Sequence, residues 1–305
     1  MPLEAERSGR EEGSITLLAL WSIAIIGVLL AAAIFTTRTE LRIAQNIWAE
    51  AGVRYAAEAG TQLGLARLLR RRASGTAVFD GAPESWRDGS AQVEIGIVDE
   101  SGKIDLNEAP LELLSGLLVA VGRPREEAML LACNLLEWRG ASAASCPEPI
   151  GETSRRPHGR FVVPEQLGDV PGFDDGLYRA LSDSVTVVTR ASGIDPLVAA
   201  RPVLMAIPGA TAAVVDSFLD ARARWHDGGG LESGLGLQQA LPFVMISPAR
   251  EFTITATATT GAALYRADLT VRLTGIAAQP YQVLAVRTPP VRRAISASSR
   301  TGRVP

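Results

Sequence analysis

"GSITLLALWSIAIIGVLLAAAIFTT" runs from Gly13 to Thr37, and it carries no charge. From 14 to 37 it is 24 residues long. A helix of that length rises roughly 36 Å at about 1.5 Å per residue, enough to cross the hydrocarbon core of a bilayer. A removable secretory signal has an apolar core of only about 7–15 residues, then a small-x-small cut site. This run is longer, and the helical pattern continues beyond it, so it reads as a retained membrane anchor. The residues before it hold Arg7 and Arg10 against Glu4, Glu6, Glu11 and Glu12. That balance gives no orientation by the positive-inside rule.

Past Thr37 the apolar positions Leu41, Ala44, Trp48, Ala51 and Tyr55 follow in steps of three and four, which predicts one buried helical face. Glu50, Arg54 and Glu58 lie four apart on another face and support the helix modestly. The period persists through Leu63, Ala66 and Leu69 to the cluster Arg70-Arg71-Arg72. One nearly continuous helix is expected over 14–72, its first half in lipid and its second half packed on a globular domain.

The chain has 305 residues, 47% of them hydrophobic and 21% charged, which suits a folded protein of one large or two modest domains. A net charge of -3 gives no general reason to expect a polyanion partner. The only cysteines are Cys133 and Cys146, and the only histidines are His158 and His226. That set argues against a zinc site. A disulfide in an oxidising compartment and two separate thiols both stay open. Few histidines and no thiol constellation point away from nucleophilic or acid-base catalysis, and so from an enzyme.

Residues 74–89 are rich in Gly, Ser and Asp and read as a connection with a short strand at 77–79. Val93, Ile95 and Ile97 then alternate as a strand ending in a turn. From 101 to 248 the pattern is helices and loops with an internal repeat. "SGKIDLNEAPLELLSGLL" (101–118) aligns with "SGIDPLVAARPVLMAIPG" (192–209). Each has Ser-Gly, Ile-Asp, then a polar turn into a short apolar helix. Val170-Pro171-Gly172-Phe173 and Ala206-Ile207-Pro208-Gly209 share an apolar-Pro-Gly pattern. Such hairpins resemble the helix-hairpin-helix of DNA-binding proteins, whose amides hold a phosphate. From 161 to 225, however, eight acids face five arginines, so the positive charge that DNA affinity needs is missing. A packing turn is the stronger reading. The alternating runs 251–260, 263–275 and 280–288 predict an antiparallel sheet. Residues 289–305 read as a frayed tail.

The short polar leader ending at Gly13 resembles a class III prepilin leader, cut after the glycine, although Glu11-Glu12 stand where basic residues are usual. Pilin-like proteins mostly carry a glutamate at the fifth mature position. Counting from Ser14, that position is Leu18. The chain as a whole resembles the K minor pseudopilins of type II secretion systems. The likeness rests on the 13–14 junction with Leu18, "DESGKIDLN" (99–107), "CNLLEWRG" (133–140), "RFVVPEQLGDVPG" (160–172), "LMAIPG" (204–209) and "PYQVLAVR" (280–287). Two stretches depart from the family: "RGASAASC" is poor in acids, and "GIDPLVAARP" lacks the usual asparagines.

The resemblance implies an α+β, pilin-like fold, with a long N-terminal transmembrane and stalk helix packed on an antiparallel sheet and a large inserted α-helical domain. The expected divisions are a leader at 1–13, anchor and stalk at 14–72, the first part of the pilin-like domain at 73–100, the helical insert at 101–248, the closing strands at 249–288 and the tail at 289–305. It further implies cleavage after Gly13 by a prepilin peptidase, methylation of the Ser14 amine, an inner-membrane anchor and a periplasmic head. Partners would be the I and J minor pseudopilins in a tip complex on the pseudopilus, with no nucleic acid and no catalysis. A subunit with Leu18 in place of the carboxylate needs no neighbour ahead of it. Calcium is the one cofactor implied, with Asp99, Glu100 and Asp105 as ligands of a hard cation, or a second loop around Gly228-Gly229-Gly230 flanked by Asp227 and Glu232. The other readings are an anchored helix-hairpin-helix DNA receptor, a type IV minor pilin and, last, a membrane hydrolase.

Overall fold

In the computed structural model the described residues are 5–74, 79–89, 91–141, 144–146, 159–226, 242–245, 250–261 and 263–288; within the first helix the side chains of 5–16, 33–39, 41–42 and 74 lie outside the description. Helix α1 spans Ala5–Ser74, and strands β1 (Glu84–Asp88) and β2 (Ala91–Asp99) follow. Next come β3 (Ile104–Asp105), α2 (Leu111–Ala120), α3 (Arg125–Trp138), α4 (Asp175–Leu181) and β4 (Val185–Thr186). The chain then forms α5 (Arg201–Met205) and α6 (Ala212–His226), and closes with β5 (Glu251–Thr260), β6 (Ala263–Ile276) and β7 (Gln279–Arg287).

Five strands form one antiparallel sheet in the order β1-β2-β5-β6-β7. Its register sets Ile95 opposite Ala256 and Ile254 opposite Leu269. The period-two pattern of β5 buries Phe252, Ile254, Ala256 and Ala258 on one face, while Thr253 turns to the other and meets the Thr270 hydroxyl at 3.0 Å. The three closing strands therefore stand where the alternation predicts them. β1 is an addition to that reading: "ESWRD" is charged and has no apolar alternation, so it reads as connection. Only pairing with β2 makes it a strand. Of the short strand expected at 77–79, residues 77 and 78 lie outside the described residues.

Helix α1 covers this sheet with a face other than the one its large side chains suggest. Trp48 and Tyr55 are 78% and 69% exposed, whereas Val53, Ala56, Ala57, Leu65 and Leu68 are buried. Small residues decide the contact. A Cβ on Gly60 would stand 2.8 Å from Val93 Cγ1, and one on Gly64 would stand 2.5 Å from Ile254 Cγ2. A hydrophobicity count gives glycine and alanine little weight, but they let a helix backbone lie against a pleated surface.

A second core lies among the helices. Leu113, Leu114, Leu117 and Leu118 of α2 interdigitate with Ala128, Leu131, Ala132 and Leu135 of α3, the spacing of two amphipathic helices packed face to face. Cys133 of α3 is joined to Cys146 by a disulfide. That settles the alternative between bridge and free thiols.

Candidate functional site

Between residues 17 and 30 every large apolar side chain of α1 is more than half exposed, including Leu17 at 63%, Trp21 at 68%, Ile25 at 52% and Leu29 at 64%. Consecutive residues point about 100° apart around a helix, so the apolar surface is continuous round it. Among the described residues no helix is long and apolar enough to cross a membrane. The crossing expected of 14–37 lies partly outside them, because described side chains of that run cover only 17–32. Gly13 and Ser14 fall inside the helix, with side chains outside the description. Leu18 is 69% exposed, and its carbonyl accepts the Ser22 hydroxyl at 2.8 Å.

The three carboxylates expected to hold calcium are each occupied by the protein itself. Asp99 Oδ1 accepts the Ser101 amide at 3.0 Å and the Ser101 hydroxyl at 2.6 Å. Burial pushes this carboxyl up to about 6, against the lowering effect of those bonds. Burial likewise pushes Glu100 up, but the Lys103 ammonium at 2.7 Å, with hydrogen bonds from Lys103, Thr186 and Thr253, carries it below the ordinary carboxylate value. Asp105 spends Oδ1 on the Asn107 amide at 2.8 Å, and Oδ2 on Thr189 Oγ1 at 3.0 Å and the Arg190 amide at 2.9 Å. The last bond holds Arg190 at φ 55, a conformation rare for a residue with a side chain. The donors do not converge: among the described residues no group of three or more His, Cys, Asp or Glu is placed to hold a metal ion. These residues do not fit a calcium site. The loop of Asp227 and Glu232 lies outside the described residues.

The turn of the repeat recurs in the structure at an offset of 90 residues. Ile104 enters as a parallel partner of Val185, and Ile194 as a parallel partner of Val244. Asp105 Oδ1 accepts the amide two residues on, and Asp195 Oδ1 accepts the Leu197 amide at 2.9 Å. Ala109 N donates to Asp105 O at 2.9 Å, and Ala199 N to Asp195 O at 3.0 Å. Each turn is then gripped by an arginine, Arg139 just past the end of α3 and Arg222 within α6. Arg139 donates to the carbonyls of Leu106 and Ala109, both at 2.7 Å, and Arg222 to those of Pro196 and Ala199 at 2.8 and 2.7 Å. Burial lowers the pKa of both guanidinium groups, and Asp105 and Asp195 respectively oppose the shift. Sequence reasoning missed these arginines. They follow their aspartates at different distances, because α5 is shorter than α2, so no fixed spacing marks them.

Gly172 and Gly209 take left-handed φ of 87° and 81° at the Pro-Gly hairpins, where glycine is needed. At the first of these, the helix N-terminus that would hold a phosphate is already capped. Asp174 Oδ1 accepts the Leu177 amide at 2.7 Å, and that bond holds the Asp174 carboxyl below its ordinary value. This hairpin is a packing element: Asn134 Nδ2 donates to Pro171 O at 2.9 Å, and a Cβ on Gly172 would meet Leu131 Cδ2 at 2.6 Å.

A cavity of about 260 Å³ lies over Phe79, Ile95 and Ile97, below the roughly 300–1,000 Å³ of small-molecule sites. At its mouth Arg67 and Arg71 both pair with Glu84.

No family model and no curated protein matches this chain. Among solved structures it is similar to a chain of the GspK–GspI–GspJ complex from the type 2 secretion system of enterotoxigenic Escherichia coli. The identity is 15% and the TM-score 0.51, over 84% of this chain and 99% of that chain. The chain thus shares the fold of that chain of the complex.

Proposed function

We propose that the protein is a minor pseudopilin of a type II secretion system, of the K kind, acting by assembly and not by catalysis. The observation that carries this is the fold likeness to a chain of the GspK–GspI–GspJ complex, which takes in nearly all of that chain. In this reading a prepilin peptidase removes residues 1–13 and the Ser14 amine is methylated. The apolar part of α1 sits in the inner membrane, and the head lies in the periplasm with the I and J minor pseudopilins at the tip of the pseudopilus. The exposed apolar belt from 17 to 30 suits burial in lipid or among partner helices. The Cys133–Cys146 disulfide suits an oxidising compartment. Leu18 suits a first-placed subunit, which has no neighbour's terminal amine to meet. The DNA-receptor reading loses support from the Asp174 cap, because a carboxylate stands where a phosphate would bind.

The test is the mature N-terminus, read by intact mass and N-terminal sequencing from membranes with and without prepilin peptidase. The expected result is a peptidase-dependent start at Ser14 with a methylated amine. An uncut Met1, or a start beyond residue 37, overturns the proposal.

A further inference from the structure

Among the described residues, the apolar cluster of α1 and the five-stranded sheet takes in residues from Val53 to Ile97 and from Phe252 to Val271, while the helical cluster runs from Ile104 to Phe218, and the two share none. Among the described residues, what joins them is polar. Glu100 is 4% exposed at the end of β2 and pairs with Lys103 at 2.7 Å, and Thr186 of β4 and Thr253 of β5 lower its pKa from the helical side and from the sheet. The Asp195 amide donates to Ser101 O at 2.8 Å. Arg272 of β6 pairs with Glu251 at 2.6 Å and donates to Val188 O at 3.0 Å. Arg287 of β7 meets Glu165 at 3.3 Å. Close backbone contact completes the seam: a Cβ on Gly102 would stand 2.8 Å from the Val198 carbonyl.

We infer that the helical block and the helix-on-sheet unit are two separately cooperative bodies held by this polar seam. Cooperativity follows shared buried apolar surface, and bodies without it open independently. The seam supplies position without a common core, so one body can melt while the other stands. The inference does not depend on the secretion reading.

The chain carries its own reporters. Trp86 lies in β1 and Trp138 packs on Phe161 in the helical block, with ring centroids 6.0 Å apart. The remaining tryptophans, Trp21, Trp48 and Trp225, are replaced by Phe in the full chain in detergent. Trp86 and Trp138 are then followed one at a time, with the other also changed to Phe. The disulfide closes a loop inside the helical block alone, across a sequence separation of 13. Reduction is expected to lower the Trp138 transition on the order of 10 °C and to leave the Trp86 transition in place. Leu114→Ala, a cavity in the helical core, is expected to do the same with the disulfide intact. Transitions that coincide and move together under either perturbation overturn the inference.

Discussion

Arg139 and Arg222 hold equivalent places, but they fill them with different nitrogens. Both face carboxylates, Arg139 those of Glu108 and Asp105 and Arg222 those of Asp80 and Asp195, but Nε of Arg139 is buried without a partner among the described residues. Removing either guanidinium leaves two turn carbonyls without their charged donor. A hydrogen bond to a charged group is worth about 1.5–3 kcal/mol, so Arg222→Met is expected to cost about 2–3 kcal/mol in urea unfolding with an unchanged m-value. Arg139→Met relieves an orphaned donor as it removes the fork and is expected to cost about 1 kcal/mol less. Arg139→Lys should not restore stability, because Arg139 reaches its two carbonyls with Nη1 and Nη2 and an ammonium lacks that planar fork. Arg222 reaches both of its carbonyls with Nη1 alone, so Arg222→Lys should recover part of the loss. Asp99 makes a pH prediction. Burial chiefly pushes its folded pKa up to about 6, above its ordinary carboxylate value. The native state therefore holds the proton more tightly than the unfolded chain. The advantage is fully present below about pH 4 and is lost as pH rises through 6. Asp99→Asn keeps the acceptor for Ser101 and abolishes the ionisation. It is expected to flatten the fall in stability between pH 4 and 7 and to raise stability at pH 7.5 by on the order of 2 kcal/mol. A pH profile of urea midpoints parallel to that of the parent would show that Asp99 does not cause the slope.

Glycines, more than large side chains, set how the elements approach one another, and this is where the sequence was hardest to read. Gly116 lies inside α2, where exchange for Ala would ordinarily gain about 1 kcal/mol of helix propensity. Here the added Cβ would stand 2.1 Å from the Ala206 carbonyl oxygen at the end of α5. That neighbour is backbone and cannot swing aside. Gly116→Ala is therefore expected to destabilise the protein by about 2–3 kcal/mol by thermal or urea unfolding, against the sign of propensity. The same blindness explains the face of α1. The stripe Leu41, Trp48 and Tyr55 has the right period, yet Gly60 and Gly64 dock the helix. A count of apolar residues cannot register a contact made by the absence of a side chain. Strands β5, β6 and β7 were legible because their alternation reports one buried face, whereas the charged β1 is a strand only through β2. At the candidate site the Ile-Asp repeat was legible as two short identical phrases. Arg139 and Arg222 were not, because they meet those phrases only after hairpins of unequal length. The acids near 99–105 looked like ligands in sequence. Their hydrogen bonds to Ser101, Lys103, Asn107, Thr189 and Arg190 show them to be turn and seam groups.

For the whole molecule the open question is what covers the apolar belt of α1 between 17 and 30, which the head does not touch. In water such a surface would drive aggregation. In lipid it is satisfied on every side, since a helix closes its own backbone hydrogen bonds. If lipid is the cover, the chain should sediment with membranes and resist alkaline carbonate, and a probe in the head should be protected from cytoplasmic protease. Arginine near the centre of a spanning helix costs about 2.5–3.5 kcal/mol on insertion. The double variant Ile25→Arg with Leu29→Arg should therefore lose about 5–7 kcal/mol and leave the membrane fraction. The seam and both cores lie beyond residue 52, so the head of the released variant should keep the far-ultraviolet circular dichroism and the two Trp-reported transitions of the parent. A parent chain that alkaline carbonate extracted from the membranes would mean that partner helices, and not lipid, hold the belt. The assembly reading would then have to place α1 outside the bilayer.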